Sequence, residues 1–197
     1  MVNLCATHGY SLLELVFALG LIVTLAGVTT AKVLAGLDDF RTAGAVRYVS
    51  GRIQRARMDA VSRNVNTGMR VVRAGSSYGF GIYADGNRDG VRTRDIQDGI
   101  DKPIQQEERL SDQFPGVDFG ALPGLPAPDA SGTAPGSDPV RLGVSDMAAF
   151  TPLGASTPGS LYILGPRGAQ YVIRIFGETG KTRILKFNSR TWLWESL

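Results

Sequence analysis

The residue types that most often act as nucleophiles, general bases and zinc ligands are nearly absent from this chain of 197 residues. The only cysteine is Cys5 and the only histidine is His8, so both lie within the first nine residues. Removal of that stretch would leave no thiol and no imidazole. Such a chain has no Cys or His nucleophile, no disulfide and no ordinary zinc site. We therefore expect a protein that is not an enzyme.

A single carboxylate, Glu14, interrupts an otherwise apolar run from Tyr10 to Ala31, which Lys32 ends. As a helix this run would rise about 33 Å, enough to cross a bilayer core of about 30 Å. A carboxylate inside it costs on the order of 2.5–3.5 kcal/mol at mid-membrane, and neither a signal peptide nor a plain anchor benefits from it. The run therefore predicts a transmembrane helix in which Glu14 has a specific partner.

A polar loop carries a possible cation site. Asp85, Asn87, Asp89 and Gly90 match positions one, three, five and six of an EF-hand calcium loop. The twelfth position, which should supply a bidentate carboxylate, is Ile96. Asp, Asn and Gly also build tight turns for backbone reasons alone, so a structural turn is the simpler interpretation and calcium the alternative. We expect no other cofactor.

Basic residues cluster near the carboxyl terminus, where Lys181, Arg183 and Lys186 are candidates for contact with nucleic acid. Residues two apart in a strand share a face, so Lys181 and Arg183 could project together toward a phosphate backbone. The alternative is a solvated strand edge whose charges prevent aggregation. The net charge of +3 does not by itself indicate a nucleic-acid binder.

Helical periodicity continues beyond Lys32 and predicts one helix from about Ser11 to Ser62, with an amphipathic half over 32–66. Its apolar stripe consists of Thr42, Val46, Val49, Ile53, Ala56 and Ala60. Because residues spaced by three and four share a helix face, this stripe is expected to pack on a globular head.

Residues 67–197 read as a β-rich head, which gives an α+β fold with an antiparallel sheet. Strands are predicted at Met69–Arg73, Tyr78–Tyr83, Ile104–Leu110, Val140–Val144, Ser160–Leu164, Tyr171–Phe176 and Thr182–Phe187. Trp192 and Trp194 are expected on the same side of a terminal strand. Residues 121–139, rich in Pro, Gly, Ala and Ser, are predicted to form an exposed, mobile insertion.

The segment Gly9-Tyr10-Ser11-Leu12-Leu13-Glu14-Leu15 resembles the prepilin processing motif, usually Gly-Phe-Thr-Leu-Ile-Glu-Leu. The resemblance implies a cleaved leader over 1–9, cut after Gly9 by the prepilin peptidase, and N-methylation of Tyr10. It also implies that Glu14 neutralises the terminal amine of a neighbouring subunit during assembly. Such a pairing is physically reasonable, because two opposite charges buried together offset each other's desolvation.

The head resembles one branch of this family, the minor pseudopilins of the GspH/FimT type. The residues that carry this likeness are Arg55–Asn64, Tyr83–Gly90, Phe150–Ala155 before Gly159–Leu161, and Gly180–Arg183. The likeness implies the type IV pilin fold and a structural subunit of a type II secretion pseudopilus or type IV pilus, placed at the filament tip or priming assembly. The alternative is a DNA-binding minor pilin of a DNA-uptake pilus, which would use the basic strands near the carboxyl terminus.

The resemblance also implies a location and partners. The subunit would sit in the bacterial inner membrane through a single pass over 10–31, with the head in the periplasm, and would then enter a periplasmic or surface filament. Its partners would be the prepilin peptidase, other major and minor pilins or pseudopilins, the inner-membrane assembly platform and membrane lipid. DNA is a possible partner that the net charge does not favour.

Overall fold

One long helix and a β-rich head form the described part of the chain. The computed structural model describes residues 10–130 and 132–197, except for the side chains of 28–35. Helix α1 spans Leu12–Arg63, which confirms the prediction of a single helix from Ser11 to Ser62. The chain divides into two compact units, Met1–Leu37 and Asp38–Leu197. The predicted leader over 1–9 lies outside the described residues.

In the first unit, the apolar side chains from Tyr10 to Leu25 are exposed around the helix, with 85% of Tyr10 and 74% of Phe17 accessible. None of them packs into a core. Among the residues that the structure describes, no helix is long and apolar enough to cross a membrane.

The second unit contains two antiparallel sheets. The first has four strands in the order β3-β2-β1-β6. The second has the order β10-β9-β8-β7-β4, and β5 also pairs with β7. The bounds are β1 Thr67–Ala74, β2 Ser77–Ala84, β3 Lys102–Arg109, β4 Asp118–Phe119, β5 Val140–Arg141, β6 Met147–Phe150, β7 Gly159–Leu164, β8 Gln170–Ile175, β9 Thr182–Asn188 and β10 Leu193–Ser196. The α+β class and the antiparallel pairing are confirmed, whereas a single sheet was expected.

The apolar stripe of α1 lies in the core between the helix and the two sheets. All six predicted members, from Thr42 to Ala60, have no accessible surface. The five apolar members, all but Thr42, pack with Met69 and Phe80 of the first sheet and with Ile173 of the second. The spacing of apolar residues on the helix thus predicts its buried face correctly.

The second sheet is also covered on its other face, where a smaller cluster forms. Tyr162, Val172, Leu185 and Phe187 pack there with Leu125, which comes from the Pro-rich segment 121–139. The described residues of that segment form no regular strand or helix, and the prediction that it is exposed holds only for part of it. Leu125 is only 5% accessible, since the apolar face of the sheet needs a cover and the segment supplies one.

Several short elements were not predicted. They are strands β4 and β6 and the helices α2 (Thr93–Gln97) and α3 (Leu110–Gln113). The strand that was predicted at Val140–Val144 has only two residues in the structure, and Val144 is fully exposed. The terminal strand begins at Leu193, so Trp192 lies in the preceding turn and not beside Trp194 on one strand face. Elements of two to five residues are set by tertiary pairing, because they are too short to show a periodicity.

We expect that Ile53→Ala in the head unit lowers the free energy of unfolding by about 2–5 kcal/mol, because it leaves a cavity among residues that cannot collapse freely. Met58→Ala on the same helix is the matched control, since Met58 is 62% exposed. Its effect should stay within about 0.5 kcal/mol. Urea unfolding measures both, and equal effects would contradict the assigned buried face.

Candidate assembly and binding sites

The beginning of α1 explains why the helix starts where it does. The Ser11 hydroxyl accepts a hydrogen bond of 3.1 Å from the Glu14 backbone N–H, which is the usual arrangement of an N-cap. Ser11 and Glu14 also match the Ser-x-x-Glu sequence pattern of a capping box, which marks the start of a helix. Only the backbone of Glu14 takes part in this cap bond. Its side chain is exposed and makes no hydrogen bond or ion pair among the described residues. Gly9, the predicted cleavage position, lies outside those residues.

Arg57 on α1 brings together three of the segments that resemble the pseudopilin branch. Its Nε donates to the Gly154 carbonyl at 3.3 Å, and its stem lies against Gly180 in the turn between β8 and β9. Gly180 has φ +59°, and a Cβ there would lie 2.6 Å from the Gly154 oxygen. Glycine is therefore required at this crossing for both its conformation and its size. These segments serve to pack the helix against two turns of the head.

The loop that resembles a calcium site is organised by Asp85. Its Oδ1 accepts the N–H groups of Asn87 and Arg88 at 3.2 and 2.6 Å, and its Oδ2 accepts the N–H of Gly90 and the amide of Asn66, both at 2.8 Å. Asp89 instead pairs with Arg92 at 2.7 Å. Within the described part of the chain, no group of three or more acidic, His or Cys residues could hold a metal ion. The buried Asp101 also accepts the N–H groups of Gly86 and Arg92 at 2.9 and 3.0 Å, so the geometry is that of a structural turn held by two carboxylates.

The pKa of Asp85 is lowered from its ordinary value. Burial by itself would raise it, but the hydrogen bonds from the Asn66 amide and the three backbone N–H groups favour the ionised form and outweigh burial. Because the folded pKa lies below the unfolded one, the ionised carboxylate contributes stability that is present above about pH 4. This contribution is lost as the pH falls through the folded value.

The three predicted basic residues are not on one surface. Lys181 and Arg183 are exposed, whereas Lys186 points to the opposite face of β9 and donates to Asp39 Oδ2 at 2.7 Å. The prediction of a patch containing all three was wrong, because even and odd residues of a strand alternate between its faces. A groove of about 380 Å³ is lined by Arg47 of α1 and by Arg183 of β9, among other residues.

Sequence analysis missed a polar cluster at the amino-terminal end of the head. Asp39 accepts hydrogen bonds from the Tyr171 hydroxyl at 2.8 Å and from Lys186. Burial would raise the pKa of Asp39, but these two partners lower it. Burial and the bond to Asp39 raise the pKa of Tyr171. The available signal was two successive aspartates, Asp38 and Asp39, a few residues after the apolar run, although nothing in the sequence indicated their partners.

A second missed feature is a buried ion pair on the outer face of the second sheet. Arg174 in β8 is 5% accessible, and its guanidinium forms two bonds to Asp129 at 2.9 and 3.2 Å. It also donates to the Ser160 hydroxyl at 2.9 Å. Arginine is suited to such a site, because its planar guanidinium group can donate two hydrogen bonds to the two oxygens of one carboxylate. This pair fastens the Pro-rich segment to the sheet.

We expect that Asp85→Asn lowers the unfolding free energy of the head by about 1–3 kcal/mol at pH 7, because it removes a charge that four donors face. The variant should also lose less stability than the wild type between pH 5 and pH 3, as measured by urea unfolding. Asp89→Asn is the control and should have a small effect in both respects.

The same loop gives a calcium test by thermal melting. Millimolar calcium should leave the melting temperature unchanged, because both Asp85 oxygens are already occupied. A calcium-dependent rise that Asp89→Ala abolishes would contradict this assignment and support the EF-hand alternative.

Comparisons with known proteins were made at three levels. No family model, curated protein or solved structure matches this chain. Assignment of a function therefore depends on the residues of the chain and their geometry.

Proposed function

We propose that this protein is a minor pilin or pseudopilin, a structural subunit of a type II secretion pseudopilus or type IV pilus. The observation that carries the proposal is the division of α1 into two kinds of surface. Its first half exposes apolar side chains all around, and its second half buries a stripe in the head. Helices of this kind fit a filament in which the apolar halves pack together and the heads remain outside.

The exposed apolar half supports this role because its surface is too large to face water. Apolar patches of more than a few hundred Å² on a soluble protein indicate an interaction surface. The side chains that are at least half exposed are Tyr10, Leu12, Leu13, Leu15, Val16, Phe17, Leu19, Leu21, Ile22, Val23 and Leu25. No side of this segment is polar, so lipid or several neighbouring helices must cover it.

Glu14 supports the proposal because the helix cap does not explain its charge. The cap uses the Glu14 backbone N–H, which almost any residue could supply. Its carboxylate would be costly in an apolar environment unless a cation met it there. A terminal amine of a neighbouring subunit, created by cleavage before Tyr10 and methylated there, would supply that cation.

The proposed location and partners follow from the same segment. Before assembly, residues 10–31 would hold the subunit in the bacterial inner membrane with its head in the periplasm. This part of the proposal depends on the sequence of the run, which ends at Lys32. The prepilin peptidase, other pilins or pseudopilins and the assembly platform would then act on it in turn, and the type IV pilin fold is part of the same proposal.

We expect that the wild-type protein, expressed with a prepilin peptidase, lacks residues 1–9 and carries one methyl group on Tyr10. Gly9→Ala should leave the full-length precursor, because the peptidase requires a residue without a side chain at this position. Intact-mass analysis of the membrane fraction distinguishes the two. A wild-type protein that still begins at Met1 in the presence of active peptidase would remove the central claim.

Glu14→Ala should be cleaved normally but should fail to enter filaments, since the amine of a neighbour would then be buried without a partner. Ser11→Ala is the matched control, because it removes the cap and leaves the carboxylate. We expect the control to weaken the helix start by about 1 kcal/mol and still to assemble. Filament fractions probed by immunoblotting provide the measurement, and normal assembly of Glu14→Ala would contradict the pairing.

A second candidate function is binding of duplex DNA. Its support is that Lys181 and Arg183 are exposed and make no side-chain ion pair among the described residues. The proposal predicts that the head retards DNA at low salt, and that Lys181→Ala with Arg183→Ala reduces the salt slope by up to about two. Lys186→Ala should leave the slope unchanged, because Lys186 is bonded to Asp39 on the other face. No retardation at about 50 mM salt would exclude this candidate.

A further inference from the structure

Three loops of the head meet around Asp38–Thr42, the first turn of α1 in the head unit. Asp38 Oδ2 accepts the Arg167 N–H at 3.2 Å from the turn between β7 and β8. The Arg41 guanidinium donates to the Pro115 carbonyl at 3.4 Å, from the loop after α3. These contacts define one end of the head, at which α1 enters it.

The turn between β9 and β10 lies at the same end. The Gln54 amide contacts the Thr182 hydroxyl at 3.0 Å, at the start of β9, whereas Asp39 contacts Lys186 near its end. Strand β9 therefore runs antiparallel to α1. Each further residue advances the strand by about 3.3 Å, so residues 189–192 extend past Lys186 at the amino-terminal end of the head.

This end combines exposed apolar and cationic side chains, and we call it the basal surface. Its members are Phe40, Arg41, Arg167, Arg190, Trp192 and Leu193. Phe40, Trp192 and Leu193 are 78%, 53% and 63% accessible, and all three arginines are exposed. Of the carboxylates nearby, Asp39 is paired with Lys186, whereas Asp38 is buried and Glu195 is bonded only to the neutral Asn188 amide. Among the described residues the three arginines pair with no carboxylate, so the surface presents three guanidinium groups beside apolar rings.

The position of Trp192 is unusual for its residue type. It has φ +59°, a conformation that bulky residues rarely adopt and that Gly or Asn would take without strain. Its ring packs edge-on against Phe187 with centroids 5.2 Å apart, which holds it at the tip of the hairpin. A strained, half-exposed tryptophan in a turn indicates a functional requirement for an aromatic ring at that point.

We propose that the basal surface docks on the anionic headgroups of a phospholipid membrane. The three arginines would pair with lipid phosphates, and Trp192, Leu193 and Phe40 would enter the interfacial region. Tryptophan beside basic residues is the combination that membrane–water interfaces favour. The proposal rests on the membrane location proposed above.

Lipid fits this surface better than a nucleic acid does. A phosphate backbone would use the arginines, but exposed Phe40 and Leu193 would gain nothing from it. A lipid surface can bind both kinds of side chain. The arginines can pair with lipid phosphates at the same depth at which the apolar side chains are buried away from water. Docking would hold the head against the membrane before the subunit is extracted into a filament.

The test uses the head unit, residues 38–197, whose two hydrophobic clusters come entirely from Ala43 and later residues. This unit therefore contains its complete core and no part of the apolar run. The probes are vesicles with about 30% phosphatidylglycerol and vesicles of phosphatidylcholine alone, compared by co-sedimentation. We expect binding to the anionic vesicles and at least tenfold weaker binding to the neutral ones.

The arginines are tested by Arg167→Glu with Arg190→Glu. Loss of each cation near an anionic surface should weaken binding about fivefold, so the double variant should lose at least about twenty-fivefold. The control is Arg94→Glu with Lys102→Glu, which changes the net charge equally at exposed positions near the Asp85 loop. We expect the control to bind within about twofold of the wild type, because charge far from the surface is screened.

Tryptophan fluorescence reports insertion directly, since Trp192 and Trp194 are the only tryptophans in the chain. Trp194 is partly buried and donates to the Pro126 carbonyl, so Trp192 is the residue that lipid can reach. Anionic vesicles should shift the emission to shorter wavelengths and brominated lipid should quench it, and Trp192→Asn should abolish both effects. Asn is chosen because it tolerates the positive φ.

Three outcomes would overturn the proposal. One is that the head does not bind anionic vesicles, and another is that both charge variants weaken binding equally. The third is that duplex DNA binds more tightly than the vesicles at equal salt and does so independently of Trp192, which would assign the surface to nucleic acid. None of these results depends on cleavage after Gly9, so failure here can be told apart from failure of the proposed function.

Discussion

Burial of strand β8 on both of its faces is the constraint on which the rest of the head depends. All six of its residues, Gln170–Ile175, are buried. One face meets the stripe of α1, and the other meets the cluster that contains Leu125. A sheet with two apolar faces must have two covers, and this small domain supplies a helix for one and an irregular segment for the other. The Pro-rich segment is therefore part of the core.

Polar contacts then fix each cover in place. Arg174 and Asp129 hold the segment to β8 through two short bonds in a buried setting, where removing either partner would leave a charge without compensation. On the opposite side, Asp39 receives bonds from Tyr171 and Lys186, and Arg57 joins the helix to the Gly154 carbonyl. The helix is thus fastened near both ends of its buried half, which sets its register on the sheets.

The surfaces that we propose to be functional are those that take no part in this packing. The described apolar side chains from Tyr10 to Leu25 meet no core, and the aromatic and basic residues of the basal surface are exposed. The carboxylate of Glu14 likewise takes no part in the hydrogen bond that caps the helix.

The sequence by itself determined α1 and its buried face, because an uninterrupted apolar run over 10–31 is followed by an apolar stripe with a helical period from Thr42 to Ala60. It also determined most strands, whose apolar runs end at glycine-rich turns. Tertiary structure decided what local patterns do not contain: the split into two sheets, the cover formed by residues 121–139, and the short strands β4 and β6. It also decided that Lys186 faces Asp39, and that Asp85 accepts three backbone N–H groups of its own loop and the amide of the distant Asn66. The pairing of charged side chains depends on the register of the strands and on where distant segments of the chain cross. Both are fixed only when the hydrophobic core is packed.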